Sequence, residues 1–227
     1  DEFSYTKEIN EFLLRVEYEV MNVDKLSKRL TRVTSYVPKG SVLADIGSDH
    51  AYLPCYAVKE GIVQKAIAGE VVEGPFQSAL SQVRESKLED SISVRKGNGL
   101  EVISHGEVTA ITICGMGGSL ITSILENGKS KLSARETLIL QPNIGAQFIR
   151  KWLIAEGWEL KAEEILEEDE KIYEILVAEK GEPLNPYREL SFEAAELMGP
   201  FLLKEKNPIF LKKWTMELKH WNKILKQ

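Results

Sequence analysis

Several short stretches of this 227-residue chain set polar residues at the ends of apolar runs, where an α/β sheet presents its chemistry to a ligand. Val42–Ile46 is apolar except for Asp45, and Gly47, Ser48 and Asp49 follow it directly. Asp45 and Gly47 are expected to line a small-molecule site, with the glycine allowing close approach to the backbone. The run Lys65–Glu70 closes on Glu70, with Val71 behind it. A carboxylate accepts twice and so suits the paired hydroxyls of a ribose. Asn98 and Gly99 follow a third run, and Asn98 is placed to hold the edge of a base. The run 108–113 passes into Cys114, Gly115, Met116, Gly117 and Gly118, a turn with room for ligand and substrate beside the main chain. His50, His105 and His220 are scattered, and no metal site is expected.

Such ends need strands and helices to hold them. Short apolar runs at 42–46, 65–70, 91–95, 108–113 and 137–140 read as buried parallel strands. Between them, helical stretches are expected over about 51–60, 73–87, 119–126 and 145–155, with Asp49 capping the first and Gly61 ending it. Ahead of the first strand, Leu26, Leu30, Val33 and Val37 mark a helix over about 23–37, stopped by Pro38-Lys39-Gly40. The rhythm changes at 158–166 and 172–179, two strand-like runs joined by an acidic turn, which predict an antiparallel hairpin. Five β/α units followed by a hairpin give a doubly wound α/β sheet on the plan of class I methyltransferases, Rossmann-like, with strand order 3-2-1-4-5-7-6.

Hydrophobic content of 43% and charged content of 28% fit a soluble globular protein, and no run reaches the roughly 20 apolar residues of a membrane span. With two cysteines, a reducing, cytoplasmic setting is expected. The net charge of −6 hides an uneven spread, because residues 201–227 carry seven Lys against two Glu. A second basic cluster holds Lys25, Lys28, Arg29 and Arg32. Local patches of this kind can meet a polyanion even on an acidic body, although they also occur as solvated helix faces. After the linker 181–186, Asn207 and Pro208 open a helix in which Phe210, Trp214, Leu218, Trp221 and Leu225 form one apolar stripe, as in half of a coiled coil. Ile9, Phe12, Leu13, Val16 and Val20 also recur at helical spacing, but Met21 reads as a natural start and residues 1–20 as an extension. The expected division is 21–181 for a ligand-binding domain and 182–227 for a helical one that continues beyond Gln227.

A nicotinamide cofactor and S-adenosyl-L-methionine compete for the first site. The dinucleotide fingerprint would need glycines where the chain has Asp49 and Tyr52, and Asp49 would face a pyrophosphate. S-adenosylmethionine carries a sulfonium cation and no phosphate, so Asp45 and Asp49 suit it better. A phosphate held by the glycine turn is a weaker third option.

The combination of Asp45-Ile46-Gly47-Ser48-Asp49-His50-Ala51-Tyr52-Leu53-Pro54 with Gly115-Met116-Gly117-Gly118 and Gln141-Pro142-Asn143 resembles the bacterial tRNA adenine-22 N1-methyltransferase family. Leu26-Ser27-Lys28-Arg29-Leu30 and Ala66-Ile67-Ala68-Gly69-Glu70 add to the likeness, which runs from about Met21 to the end. The resemblance implies a class I methyltransferase domain with a coiled-coil-like C-terminal domain, shortened here, and methyl transfer from S-adenosylmethionine to N1 of adenine 22 in tRNA. It gives Asp45, Gly47, Ser48, Glu70, Val71, Asn98, Gly99, Gly115, Met116 and Gly117 to the cofactor. For the chemistry it points to Gln141 and Asn143 on the adenine edge, Tyr52 stacking on the ring, and Asp49 or His50 taking a proton or balancing charge. Lys25, Lys28, Arg29, Arg32, Lys212 and Lys213 are expected to meet tRNA, and the enzyme is expected to be a monomer without metal. A methyltransferase for a small metabolite and a non-catalytic RNA adaptor are the alternatives.

Overall fold

Strand β1 (Val42–Ile46) lies in the middle of a parallel sheet because its residues are apolar toward both faces: Leu43 and Ala44 are fully buried on opposite sides. In the computed structural model, which describes residues 22–225, seven strands form one sheet in the order β3-β2-β1-β4-β5-β7-β6. The others are β2 (Lys65–Glu70), β3 (Ile92–Lys96), β4 (Ala110–Gly117), β5 (Thr137–Ile144), β6 (Trp158–Glu168) and β7 (Lys171–Lys180). The first five run parallel, and β7 inserts antiparallel between β5 and β6, as expected from the order of runs in the sequence. The helical stretch expected among residues 1–20 lies outside the described residues.

Alternation along the strands builds two cores. Ala44, Ile46, Ile111, Ile113, Leu138 and Leu140 face α4 (Gly118–Asn127) and α5 (Ala146–Ala155). Leu43, Ala110 and Ile139 face α1 (Lys28–Ser35), α2 (Tyr52–Lys59) and α3 (Glu73–Glu85).

Several boundaries differ from expectation for local reasons. Helix α1 begins only at Lys28, because Asn22 Oδ1 ties the N–H groups of Asp24 and Lys25 (2.8 and 2.9 Å) into a turn, and Ser27 Oγ then caps Leu30 N (3.2 Å). Asp49 does not cap α2. That helix starts after Ala51, which sits in left-handed conformation with no side-chain cap. Strands β4 and β5 run on past their expected ends, through the glycine turn and through Gln141-Pro142-Asn143, as described below.

Beyond a short turn at 185–187, helices α6 (Phe192–Met198), α7 (Pro200–Glu205) and α8 (Pro208–Ile224) follow. Asn207 Oδ1 caps α8 through Phe210 N (3.0 Å), with Pro208 in the first turn, as its sequence predicts. Arg150 of α5 fastens the preceding helices to the sheet. Its guanidinium is fully buried, donates to Glu163 Oε1 of β6 (2.7 Å), Glu174 Oε2 of β7 (2.5 Å) and Leu197 O of α6 (3.0 Å), and Glu163 also accepts from Phe201 N (3.0 Å). Along α8, Phe210 is buried while Leu218, Trp221 and Leu225 are exposed.

Candidate active site

A cavity of about 340 Å³ opens where β1 and β4 end, lined by Asp45, Gly47, Ser48, Asp49 and Tyr52 from one strand end and by Cys114, Gly115 and Met116 from the other. Asp45 is the buried acid of this cavity. Ser48 Oγ donates to its Oδ2 (2.6 Å) and Thr112 Oγ1 to its Oδ1 (2.7 Å). Burial lifts its carboxyl above the ordinary aspartate range, and the two hydroxyls only oppose this. A carboxyl so placed would be favoured by a cation beside it, and no ion pair to Asp45 forms among the described residues.

Gly47 has φ +72°, and the Met116 methyl group lies where its Cβ would stand, so only glycine fits here without moving Met116. The loop that follows is held in an unusual shape: Asp49 (φ +55°) and Ala51 (φ +54°) are both left-handed. The Asp49 N–H donates to Glu70 Oε1, which joins the ends of β1 and β2. Burial raises the Glu70 carboxyl above its usual range, opposed by that N–H. His50 stacks on Tyr52 with ring centres 5.1 Å apart, and His50 Nε2 lies 3.8 Å from Asp49 Oδ1. Glu70, Val71, Asn98 and Gly99 continue the row of strand ends outside the cavity itself. Val71 and Val72 are 56% and 58% exposed, an apolar surface that a base would cover. Asn98 is exposed, and its N–H donates to Glu101 Oε2 (3.1 Å).

The glycine turn and the Gln-Pro-Asn stretch prove to be one device. Register slips between Cys114 and Met116, leaving Gly115 (φ +74°) in a β-bulge with no ladder partner. Two side chains of β5 replace the missing bonds: Gln141 Oε1 accepts from Gly115 N (3.0 Å), and Asn143 Nδ2 donates to Gly115 O (2.7 Å). Gln141 is fully buried, its Nε2 donates to Pro142 O (2.8 Å), and its Oε1 also accepts from Arg29 Nη1. Its side chain is thus buried and bonded within the protein through both Oε1 and Nε2. Asn143 is exposed, with no bond to Oδ1 among the described residues. Cys114 is half-buried in the cavity wall, and its surroundings push its thiol pKa up.

Two features carry no signal in the sequence. Leu120, Ile144 and Phe148 are 54%, 77% and 46% exposed, at the starts of α4 and α5. A second cavity of about 350 Å³ runs from Asn143 and Ile144 to Lys212, Lys213, Trp214 and Trp221 of α8.

Four of the six basic residues expected to meet tRNA contact the acidic β6–β7 hairpin. Arg32 forks onto Glu164 (2.8 Å through Nε and through Nη2), and Lys28 Nζ reaches Glu167 O (3.1 Å). Lys212 pairs with Glu167 (2.5 Å), and Lys213 pairs with Glu174. Arg29 turns inward and lines the main cavity, while Lys25 lies exposed. Among the described residues no cluster of His, Cys, Asp or Glu is arranged to hold a metal, and no helix is long and apolar enough to cross a membrane.

The sequence profile of the family described as tRNA (adenine(22)-N(1))-methyltransferase matches residues 43–227. The Bacillus subtilis protein of that name is 59% identical over 207 residues, covering 91% of this chain and 87% of the relative. The crystal structure of the Bacillus subtilis m1A22 tRNA methyltransferase superimposes with a TM-score of 0.89, covering 90% of this chain and 87% of that one. A Streptococcus pneumoniae protein solved in complex with S-adenosyl-L-methionine is 48% identical, with a TM-score of 0.81 over 86% of this chain and 89% of its own.

Proposed function

The chain belongs to the tRNA (adenine(22)-N(1))-methyltransferase family, and from that membership we propose how its own residues move a methyl group from S-adenosylmethionine to N1 of adenine 22 of tRNA. When bound, S-adenosylmethionine supplies a methyl group on a sulfonium sulfur. Asp45, buried in the cavity and met there by two hydroxyls and no cation among the described residues, is the group we assign to the cationic methionine half, and this placement is the observation that carries the reading. Glu70 has Oε2 left over for ribose hydroxyls, and Val71 and Asn98 flank the base.

N1 of neutral adenine holds an in-plane lone pair, so no base is needed to create a nucleophile and alignment is the main task. In a stem N1 points inward, so the adenine must leave the stack. Asn143, anchored by its Nδ2 to Gly115, presents Oδ1 to the exocyclic amine. Tyr52, braced by His50, supplies a stacking face, and Asp49 offsets the positive charge that develops on the ring. Gln141 holds the bulge in shape and makes no base contact in this scheme. Residues 21–181 form the catalytic unit and 182–227 the RNA-gripping arm, in a cytoplasmic monomer.

Transfer of labelled methyl groups to tRNA transcripts tests this. Label should appear as 1-methyladenine only when adenine 22 is present. Equal labelling after replacing that base would overturn the assignment of the target.

A further inference from the structure

At 77% exposure Ile144 is the one large apolar side chain laid open in a strand among the described residues. It belongs to neither core of the sheet, and its place is beside the reaction centre. Its neighbour Asn143 holds Gly115 of the main cavity wall, while Ile144 itself lines the second cavity. The mount beneath it is stiff. Ile144 pairs with Gly117 of β4, and Gly145 behind it lies so close to Gly118 that no Cβ fits between them. A β-branched side chain adds little freedom of its own. Leu120 and Phe148 stand exposed at the starts of α4 and α5, with the Phe148 ring against Gly145.

Proteins that open a stack of bases insert rigid apolar side chains of this kind. When adenine 22 turns out of its stem it leaves a gap one base thick. A branched aliphatic side chain covers the base faces on either side of such a gap, and the area it takes from water offsets part of the lost stacking. We propose that Ile144 is the wedge that fills the place of adenine 22 in the tRNA stem, with Leu120 and Phe148 as an apolar shelf for the adjoining bases, a proposal that rests on the target assigned above. Ile144 is then a positioning residue. It touches the stem and not the reacting atoms, and it keeps the adenine from falling back while Asn143 aligns it.

The test is single-turnover methyl transfer to two tRNA transcripts, one with adenine 22 opposite uracil and one with adenine 22 opposite an abasic site, where no pair has to be broken. The ratio of the second rate to the first should rise about 10- to 100-fold from the wild type to Ile144→Ala, and by less in Ile144→Leu. Binding of S-adenosylhomocysteine should not change. With 2-aminopurine in place of adenine 22, opposite uracil, fluorescence should climb as the wild type binds and the base unstacks, and climb much less with Ile144→Ala. A ratio that stayed at the wild-type value, whether both rates fell or neither did, would overturn the proposal, as would an equal climb in fluorescence. If the wild type labelled neither transcript, the assignment of the target would fall, and the wedge with it. Thermal unfolding checks each variant, and Ile144→Thr, which keeps the branched shape that suits a strand, carries the comparison should the Ala variant not fold.

Discussion

A carboxylate buried as Asp45 is buried works against the fold that contains it. Its folded-state pKa lies above the unfolded one, so its contribution to stability is full below the unfolded pKa and is lost as pH rises through the folded pKa. Above the unfolded pKa the buried carboxyl is therefore a cost, whichever form it takes. Asp45→Asn should therefore raise Tm at pH 7 to 8 while weakening S-adenosylhomocysteine binding about tenfold or more, readable by thermal unfolding and calorimetry. A variant that lost both stability and affinity would show that the site needs the side chain's shape and not its charge. Asn143→Ala should lower single-turnover methyl transfer by about 10- to 1000-fold and leave cofactor affinity nearly unchanged. Asp45 and Glu70 were legible because an acid closing an apolar run has few structural uses. Arg29 and Gln141 were not legible as partners: they meet 112 residues apart, and which way each side chain turns depends on strand pairing that no local pattern records.

At the scale of elements, the strand ends of β4 and β5 are shaped by a substitution of side chains for backbone. The glycine stretch read as a turn and Gln141-Pro142-Asn143 as the end of a strand, yet both remain strands because Gln141 and Asn143 take over the bonds that the bulge at Gly115 forfeits. Helix order and sheet order, by contrast, follow from periodicity and from the absence of a helix between β6 and β7, so they were readable in advance. Just past the bulge, α4 and α5 start in close contact. A Cβ on Gly118 would lie 2.7 Å from the carbonyl carbon of Gly145, a backbone atom that cannot swing aside. Gly118→Ala should cost about 1–3 kcal/mol in urea unfolding and slow methyl transfer, since separating these helix starts drags Asn143 off its position. Arg150→Met should cost more, about 3–5 kcal/mol, because it leaves Glu163 and Glu174 buried without their cation. Limited proteolysis after residue 181 would detect loosened α6 and α7.

For the molecule as a whole, the balance of charge depends on pairings that sequence alone does not show. The lysine-rich tail and the cluster near α1 read as open basic patches, but strand pairing brings the β6–β7 hairpin between them, and Glu164, Glu167 and Glu174 take up Arg32, Lys212 and Lys213. Lys219 and Lys223 are exposed and make no ion pair among the described residues. Replacing both with Gln should weaken tRNA binding for every sequence variant alike and flatten its salt dependence by about one unit of slope per lost phosphate contact. Replacing Lys212 alone should change that slope less. The hairpin thereby acts as a resident competitor: a phosphate that takes Lys212 or Arg32 must evict a carboxylate and frees few small ions in doing so. Random polyanions gain little from such an exchange, so heparin or bulk ribosomal RNA should dwell only briefly. A transfer RNA whose shape reaches the exposed lysines and the cavity at once repays the eviction, and the protein's own acidity becomes a filter on which nucleic acid is kept.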